Sequence, residues 1–517
     1  MSPRDDLPSR LRKAMAHPTS ERQVWSRSLA GVLIAGYLWA AYFDQLPSTT
    51  LAVGGLPAAI GGAGLGGLLS CALLFVPAGL QGLRCRRPMM VVATSAFGVR
   101  GSALVPGLLV GLVQILWFAV AVHFAVSFNL RGLSTAGLIA PDSLYPPGGG
   151  DGSVHRSTVY AISALLWGIA SALVATRFIR WIAALMIVYP IFLGLALAGA
   201  MVWAIPGLPD YRFASSTLFA ESALRPWPAF WAMTQLVFGF SATVAVHAIN
   251  WGATLRGPRD VLLSGIVGVA LASTVIASIA VLTVAGSLGR ALAAEAAIEH
   301  NPNAIVPEEE PVDDLGPTPG LGRFDPPRLP TNPIAYQLHL VFERRIGGVA
   351  GGVGLILLGL GSLASAVYAS FAYSNRLEAI RSRPRRWAWG VIGAVVAFPL
   401  MINGLAGNVP LVIDLTAGVL APMLGVLSAD LVWHRSSWPG PRPGFRTIGL
   451  ASWGIGSAVG LLPILSRIVP GMDPCRWLPM ALLGYLVALG SSLIAETAAS
   501  SRTRSRGPAS ATESAGG

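Results

Sequence analysis

Arg87 to Val126 reads RPMMVVATSAFGVRGSALVPGLLVGLVQILWFAVAVHFAV. A basic, proline-containing entry leads into a turn of small residues, Phe97-Gly98-Val99-Arg100-Gly101. A long apolar run follows, with one Trp-Phe pair, Trp117-Phe118, near its middle. That run is long enough to cross the hydrocarbon core of a bilayer, which takes about 20 helical residues. The remainder of the chain has the same character. Over 517 residues it is 53% hydrophobic and only 12% charged, far too apolar for a soluble protein of this length. Backbone amides inside lipid must be satisfied within the protein, so such runs form helices. The strand alternation of an outer-membrane barrel is missing from the sequence.

About twelve runs qualify as spans. They lie near 28–52, 54–83, 101–126, 157–176, 179–204, 228–250, 260–288, 346–373, 385–404, 408–432, 445–468 and 476–496. The fourth and fifth nearly touch around Arg177 and Arg180, which implies a tight turn. Basic residues gather in the even-to-odd loops: Arg84, Arg86, Arg87 and Arg100; Arg177 and Arg180; Arg256 and Arg259; Arg376, Arg381, Arg383, Arg385 and Arg386; Arg435, Arg442 and Arg446. Loops rich in arginine stay on the cytoplasmic side, so both termini are expected there, in a multi-pass protein of the cytoplasmic membrane. Arg344 and Arg345, beside span eight, run against the pattern. The same placement explains the formal charge of +12 without a nucleic-acid partner.

The expected organisation is a cytoplasmic tail (1–27), spans one to seven (28–288), an external acidic, Pro-rich loop (289–345), spans eight to ten (346–432), spans eleven and twelve (433–496) and a disordered tail (497–517). The loop carries Glu308-Glu309-Glu310 and Asp313-Asp314 and has too little apolar content for a core of its own. Cys71, Cys85 and Cys475 lack metal-ligand spacing, so neither a metal site nor a disulfide framework is expected. No nucleophile elbow or metal-ligand cluster points to an enzyme. No filter-like loop or repeated charged ring points to a channel.

Two spans read as interrupted. The first holds Asp44-Gln45-Leu46-Pro47-Ser48-Thr49-Thr50 inside its apolar stretch, with Gly54-Gly55 following. Proline lacks a backbone donor and clashes with the preceding turn, so carbonyls are freed there. The sixth carries Gly239, Ser241, Thr243, His247 and Asn250. Broken helices five apart are the sequence sign of a transporter built from two inverted five-helix repeats, with its site at mid-membrane.

Four patches add a family resemblance. Met90 to Gly101 reads MVVATSAFGVRG, similar to PVLARASFGxRG, with Thr94 at a usual Arg. Leu116-Trp117-Phe118-Ala119 takes the place of a GWFG-like motif. Ile249 to Asp260 reads INWGATLRGPRD, beside a pattern like PDWxRYxRSPRD, with Asn250 for the acid and Ala253 for the first Arg. Ala421 to Asp430 reads APMLGVLSAD, near GPIxGVLLADY. In this order the patches resemble the first nucleobase–cation symporter family, the cytosine/purine, uracil, thiamine, allantoin and hydantoin permeases. The resemblance implies an all-α polytopic membrane protein of the leucine-transporter-like fold, a 5+5 inverted repeat plus two extra helices. It further implies a secondary transporter for a nucleobase or related heterocycle, with Na⁺ or H⁺ as coupling ion and no other cofactor. A non-transporting receptor on the same scaffold is the alternative. The oligomeric state has no sequence signal.

The resemblance makes Trp117 the first substrate-binding candidate, offering its face to a planar ring; the alternative is a packed core Trp, one of 15 in the chain. Gln114, one turn earlier, is placed to reach a polar edge or to bond a neighbouring helix. Asp44 is a costly intramembrane carboxylate. It would bind a cation, carry a proton or meet a substrate amine, or else cap the freed backbone donors. Gln45 lies beside it, and Ser48 and Thr49 are weaker candidates. The family's second Trp falls at Ser241, so half of an aromatic sandwich is expected to be missing. His247 falls near a polar family position and either titrates, donates to substrate or packs. The hydroxyl pair that completes a Na⁺ site in the family falls on Gly359 and Leu360; Ser362 is the nearby substitute, and Ser365 takes the place of a substrate-binding Asn. Asp430 and Arg256 read as structural.

Overall fold

The computed structural model describes residues 8–144, 154–211, 225–300, 336–434, 437–469 and 478–505. Among these residues the regular elements are helices, apart from a single bridge between Gln23 and Leu255. Twelve passages follow in order. The first, α1, comes in pieces, Trp25–Ser28, Ala30–Tyr37 and Ala40–Phe43, and ends within Leu46–Leu69 where Gly55 turns to φ 74°. From there α2 continues through Ser70–Phe75 and Val76–Cys85. Next come α3 (Thr94–Ser102, Ala103–Leu109, Val110–Thr135), α4 (Thr158–Arg177) and α5 (Ile179–Ala204). The second half holds α6 (Pro226–Ala245, Ala248–Gly252), α7 (Pro258–Gly265, Ile266–Leu271, Ala272–His300), α8 (Gly348–Ile380), α9 (Arg386–Ile402) and α10 (Val409–Trp433). The chain closes with α11 (Thr447–Gly460, Leu462–Leu465) and α12 (Met480–Ser505). Eight of the twelve are long and apolar enough to cross a membrane outright; α1, α6, α9 and α11 are broken or shorter.

The neighbours follow the inverted repeat. α1 lies on α6, α2 on α7, α3 on α8 and α4 on α9, so four helices of the first five stand beside their counterparts. α11 and α12 pack against α10 and each other. Small residues let α3 and α8 approach closely, as lipid-embedded helices require: a Cβ on Gly352 would sit 2.6 Å from the Gly132 carbonyl, and one on Gly359 would meet the Asn129 side chain at 2.7 Å.

Both expected interruptions are present, at shifted places. α1 opens at Leu38-Trp39, where Trp39 is extended (φ −68°, ψ 128°), and again at Asp44-Gln45. Pro47 does not break the helix; it stands in the first turn of the next piece, where its missing N–H would have had no partner anyway. α6 opens at Val246-His247 rather than along Gly239 to Thr243, which stay helical. Only Phe178 separates α4 from α5, the tight turn expected there.

Other boundaries move. α7 runs on to His300, and a helical segment, Leu338–Leu340 followed by Val341–Ile346, occupies the end of the stretch assigned to a loop. The acidic run at 308–314 lies outside the described residues. α12 reaches Ser505, past the expected end at 496. Arg376, assigned to the loop after span eight, is buried inside α8 and donates to the Pro106 carbonyl at 2.8 Å. The apolar run ended the sequence estimate early, because a buried arginine inside a helix looks like a loop residue.

The turn in the opening stretch is pinned from outside. Gly98 adopts φ 76°, and the 442–446 segment lies against it: Val99 N–H donates to the Arg442 carbonyl at 2.9 Å and Arg100 N–H to Gly444 at 2.9 Å. A Cβ on Gly98 would stand 2.4 Å from the Gly444 carbonyl oxygen. Gly98→Ala is therefore expected to cost about 1–3 kcal/mol from backbone strain, with the clash added. Thermal unfolding in detergent would register it, and an unchanged melting temperature would show that the 442–446 segment yields freely.

Candidate functional site

The opened stretch of α1 meets α3 and α6 in a cluster of rings. Trp39 lies 5.1 Å from Trp117 and 5.9 Å from Phe240, centroid to centroid. Trp117 and Phe240 are 5.3 Å apart and edge-on, and Tyr42 touches Phe240 at 4.8 Å. Tyr37 closes the group at 5.2 Å from Tyr42. Such offset and edge-to-face contacts are the favourable geometries for aromatic side chains. The extended backbone at Trp39 turns its indole inward, where a continuing helix would have placed it elsewhere.

Ser241 brings no ring, yet Trp117 does have aromatic neighbours. They are Phe240, next to Ser241, and Trp39 on the opened stretch. Ser241 itself shares a 2.7 Å hydrogen bond with the Tyr37 hydroxyl, which fastens α1 to α6. Among the described residues three buried indole N–H groups lack an acceptor, and two of them, Trp39 and Trp117, stand in this cluster while the third is Trp167. Trp39 is 8% exposed and Trp117 1%, and neither Nε1 has an acceptor among the described residues. A buried donor without a partner costs about 1–3 kcal/mol, and each such group calls for a reason.

The polar candidates gather at the same level of the bundle. Gln114 Nε2 stands 3.5 Å from His247 Nε2 at the break of α6. His247 rests on Trp251 and Tyr368, at 5.6 and 5.5 Å. Ser365 of α8 faces the hydroxyl of Tyr189 from α5. Trp117, Gln114, Ser241, His247 and Ser365 thus collect around the paired breaks.

Asp44 and Gln45 stand at the second opening of α1, and they and Ser362 take other partners. Asp44 is buried and accepts from the His339 backbone N–H at 2.8 Å, with His339 Nδ1 at 3.1 Å from each of its oxygens. Gln45 spans to the start of α10, donating to the Gly407 carbonyl at 2.7 Å and accepting from Val409 N–H at 3.3 Å. Ser48 and Thr49 bond back to the Gln45 carbonyl at 2.8 and 3.0 Å. Ser362 donates within its own helix to Leu358 at 3.1 Å. Asp44 and Ser362, paired by the sequence as cation ligands, thus hydrogen-bond to different segments. Gly359 is closed against α3, and Leu360 is 42% exposed on the outer face.

Asp430 keeps its structural reading. It accepts from Ser95 Oγ at 2.6 Å and lies 3.7 Å from Arg446, which also pairs with Glu496. α3, α10, α11 and α12 are joined through it. Its hydrogen bond holds the His434 imidazole above the ordinary histidine value, beyond the end of α10. Arg256 is paired with Asp260 at 3.7 Å. Among the described residues no group of His, Cys, Asp or Glu has the makings of a metal site.

Tyr37, Trp39, Tyr42, Phe240, Tyr189 and His339 escaped sequence reasoning. One signal was available. Tyr37, Trp39, Tyr42 and Phe43 crowd four aromatic residues just ahead of Asp44, in a span otherwise built from small and aliphatic side chains.

No family model matches the sequence, and no curated protein matches it. Solved structures do share the fold. The inward-facing conformation of Mhp1 superposes with a TM-score of 0.59 at 16% identity, over 94% of this chain and 93% of that one. A closed Mhp1, described as a nucleobase-cation-symport-1 family transporter with bromovinylhydantoin bound, gives 0.57 at 17% identity, over 94% and 96%. The chain therefore has the fold its motifs implied, an all-α, multi-pass, leucine-transporter-like arrangement.

Proposed function

We propose that this chain is a secondary transporter that carries a small planar heterocycle across the membrane together with a cation, by alternating access around the breaks of α1 and α6. One observation carries the reading: two buried indole N–H groups without acceptors stand inside an aromatic cluster at those breaks. A flat ring bearing carbonyl oxygens supplies what the cluster lacks. It stacks on indole or phenyl faces and accepts from Trp39 and Trp117, and nucleobases and hydantoins have that chemistry. The Mhp1 fold and its hydantoin-type ligand point the same way.

The rings now touch one another, so a ligand must part them. Trp39 is the ring best able to move, because its backbone is extended and its N–H makes only a long 3.4 Å bond to Gly36. Gln114 and His247 offer donors and acceptors for a second polar edge. Broken helices place free backbone groups and mobile joints at mid-membrane, as alternating access requires. Both termini would face the cytoplasm, and the reading gives the chain no enzymatic role.

The test is uptake into vesicles reconstituted with the purified protein, with labelled uracil, cytosine, adenine, hydantoin and allantoin, and with Na⁺ and pH gradients imposed separately. Accumulation of at least one planar heterocycle above protein-free vesicles is expected. Binding without accumulation would identify a receptor instead, and neither binding nor uptake would overturn the proposal.

A further inference from the structure

We infer that the hydroxyl of Tyr189 stands where a cation would bind the broken end of α1, so that the α1–α5–α8 junction has no Na⁺ site and transport does not depend on Na⁺. This rests on the transporter reading for its last clause only. Breaking α1 frees carbonyls at the end of the Ala30–Tyr37 piece. Ile34 O still accepts from Leu38 N–H at 3.0 Å, and Gly36 O takes Trp39 N–H at 3.4 Å. Ala35 O loses the donor that a continuous helix would give it, the N–H of Trp39. It receives the Tyr189 hydroxyl instead, at 2.5 Å.

The seat is built around that phenol. Tyr189 is buried, and Ser365 of α8 faces the same hydroxyl. One turn further along α5, Leu193 fills the space over Gly361 of α8, where a Cβ would come within 2.3 Å of it. α5 is thus pressed onto α8 on both sides of the contact. The phenol brings a proton donor and no charge to a carbonyl that a cation would otherwise hold.

The oxygens left over do not make a cation site. A hard cation takes about six oxygen ligands. Ala35 O is covered by the Tyr189 phenol, and Ser362, which donates to Leu358, keeps only its lone pairs to offer. Gly359 and Leu360 bring no side-chain oxygen, and the Asp44 carboxylate is held by His339. A bare ion there would be buried with too few partners, which is strongly unfavourable.

The first arm of the test needs no substrate. The purified protein is melted in detergent across a series in which NaCl replaces choline chloride at constant ionic strength. A ligand that binds only the folded state raises the melting temperature in a saturable way. The wild type is expected to melt alike throughout; a saturable, Na⁺-specific rise that Ser365→Ala abolishes would overturn the inference. Tyr189→Ser removes the ring, leaves a hydroxyl beside Ala35 O and opens space for the water ligands that complete a cation's shell, and it is expected to gain a Na⁺-specific rise. A folded Tyr189→Ser without that gain would also overturn it, and if this variant does not fold, the wild-type series decides. In the second arm, heterocycle uptake is expected to change less than twofold between Na⁺ and choline. A tenfold dependence on Na⁺ would sink the inference and leave the transporter reading standing, whereas no uptake in either salt would sink that reading and leave the melting result to decide here.

Discussion

Trp117→Ala is expected to weaken binding of a planar heterocycle by about ten- to a hundredfold. Truncating an aromatic platform beneath a nucleobase typically costs about 1–3 kcal/mol, and Trp117 loses a ring face and an N–H donor together. Its burial among Trp39, Phe240 and the α3 backbone means that few other groups lie ready to replace it. Trp117→Phe separates the two contributions, since it keeps a ring at the same Cβ and deletes the donor. Its deficit should be the smaller one, near the 0.5–1.5 kcal/mol of a single net hydrogen bond. Both are read by isothermal titration with the ligand found most active in uptake. Unchanged affinity in Trp117→Ala would make this ring a packing residue and move the site away from the breaks.

That prediction began in the sequence, and its fate shows what could be read there. The helix count, the order of spans and the boundary between the first two followed from run length, because the bilayer allows few other arrangements. Trp117 was reached through a motif. Its neighbours were not, because Trp39 becomes part of the cluster only once the backbone is extended at that residue, and neither proline nor glycine stands there to announce it. Pro47 drew attention eight residues too far along. Its ring is harmless in a first turn, and local composition does not tell a first turn from an interior one. Phe240 lay beside the expected position, and a count taken on aligned motifs is blind to a ring that arrives from the neighbouring residue. Tyr189 and His339 are tertiary partners supplied from distant segments, so no spacing within α1 could have indicated them.

Asp44 is where the sequence and the structure differ most in consequence. Its intramembrane position argued for substrate or cation binding; its geometry argues for a clasp. The carboxylate accepts from the His339 backbone and faces its ring nitrogen, while the Asp44 carbonyl accepts from Leu338 N–H at 3.0 Å. The segment Leu338–Ile346 is thereby tied to the middle of α1, and His339 rests on Phe128 of α3 at 5.6 Å. Removing one partner of a buried, hydrogen-bonded pair costs about 3–5 kcal/mol, because the other is left without its bonds. Asp44→Ala should therefore lower the melting temperature and raise hydrogen exchange across 338–346. Asp44→Asn keeps an acceptor for the His339 backbone and should recover part of the loss. A clasp also makes a second demand: in Asp44→Asn, ligand affinity measured on folded protein stays within about twofold of wild type, as expected when no ligand contact is removed. An affinity loss of tenfold or more at an unchanged melting temperature would return Asp44 to the binding site. The clasp reading depends on stability and affinity separating in this one variant, since a ligand-binding carboxylate would lose affinity first.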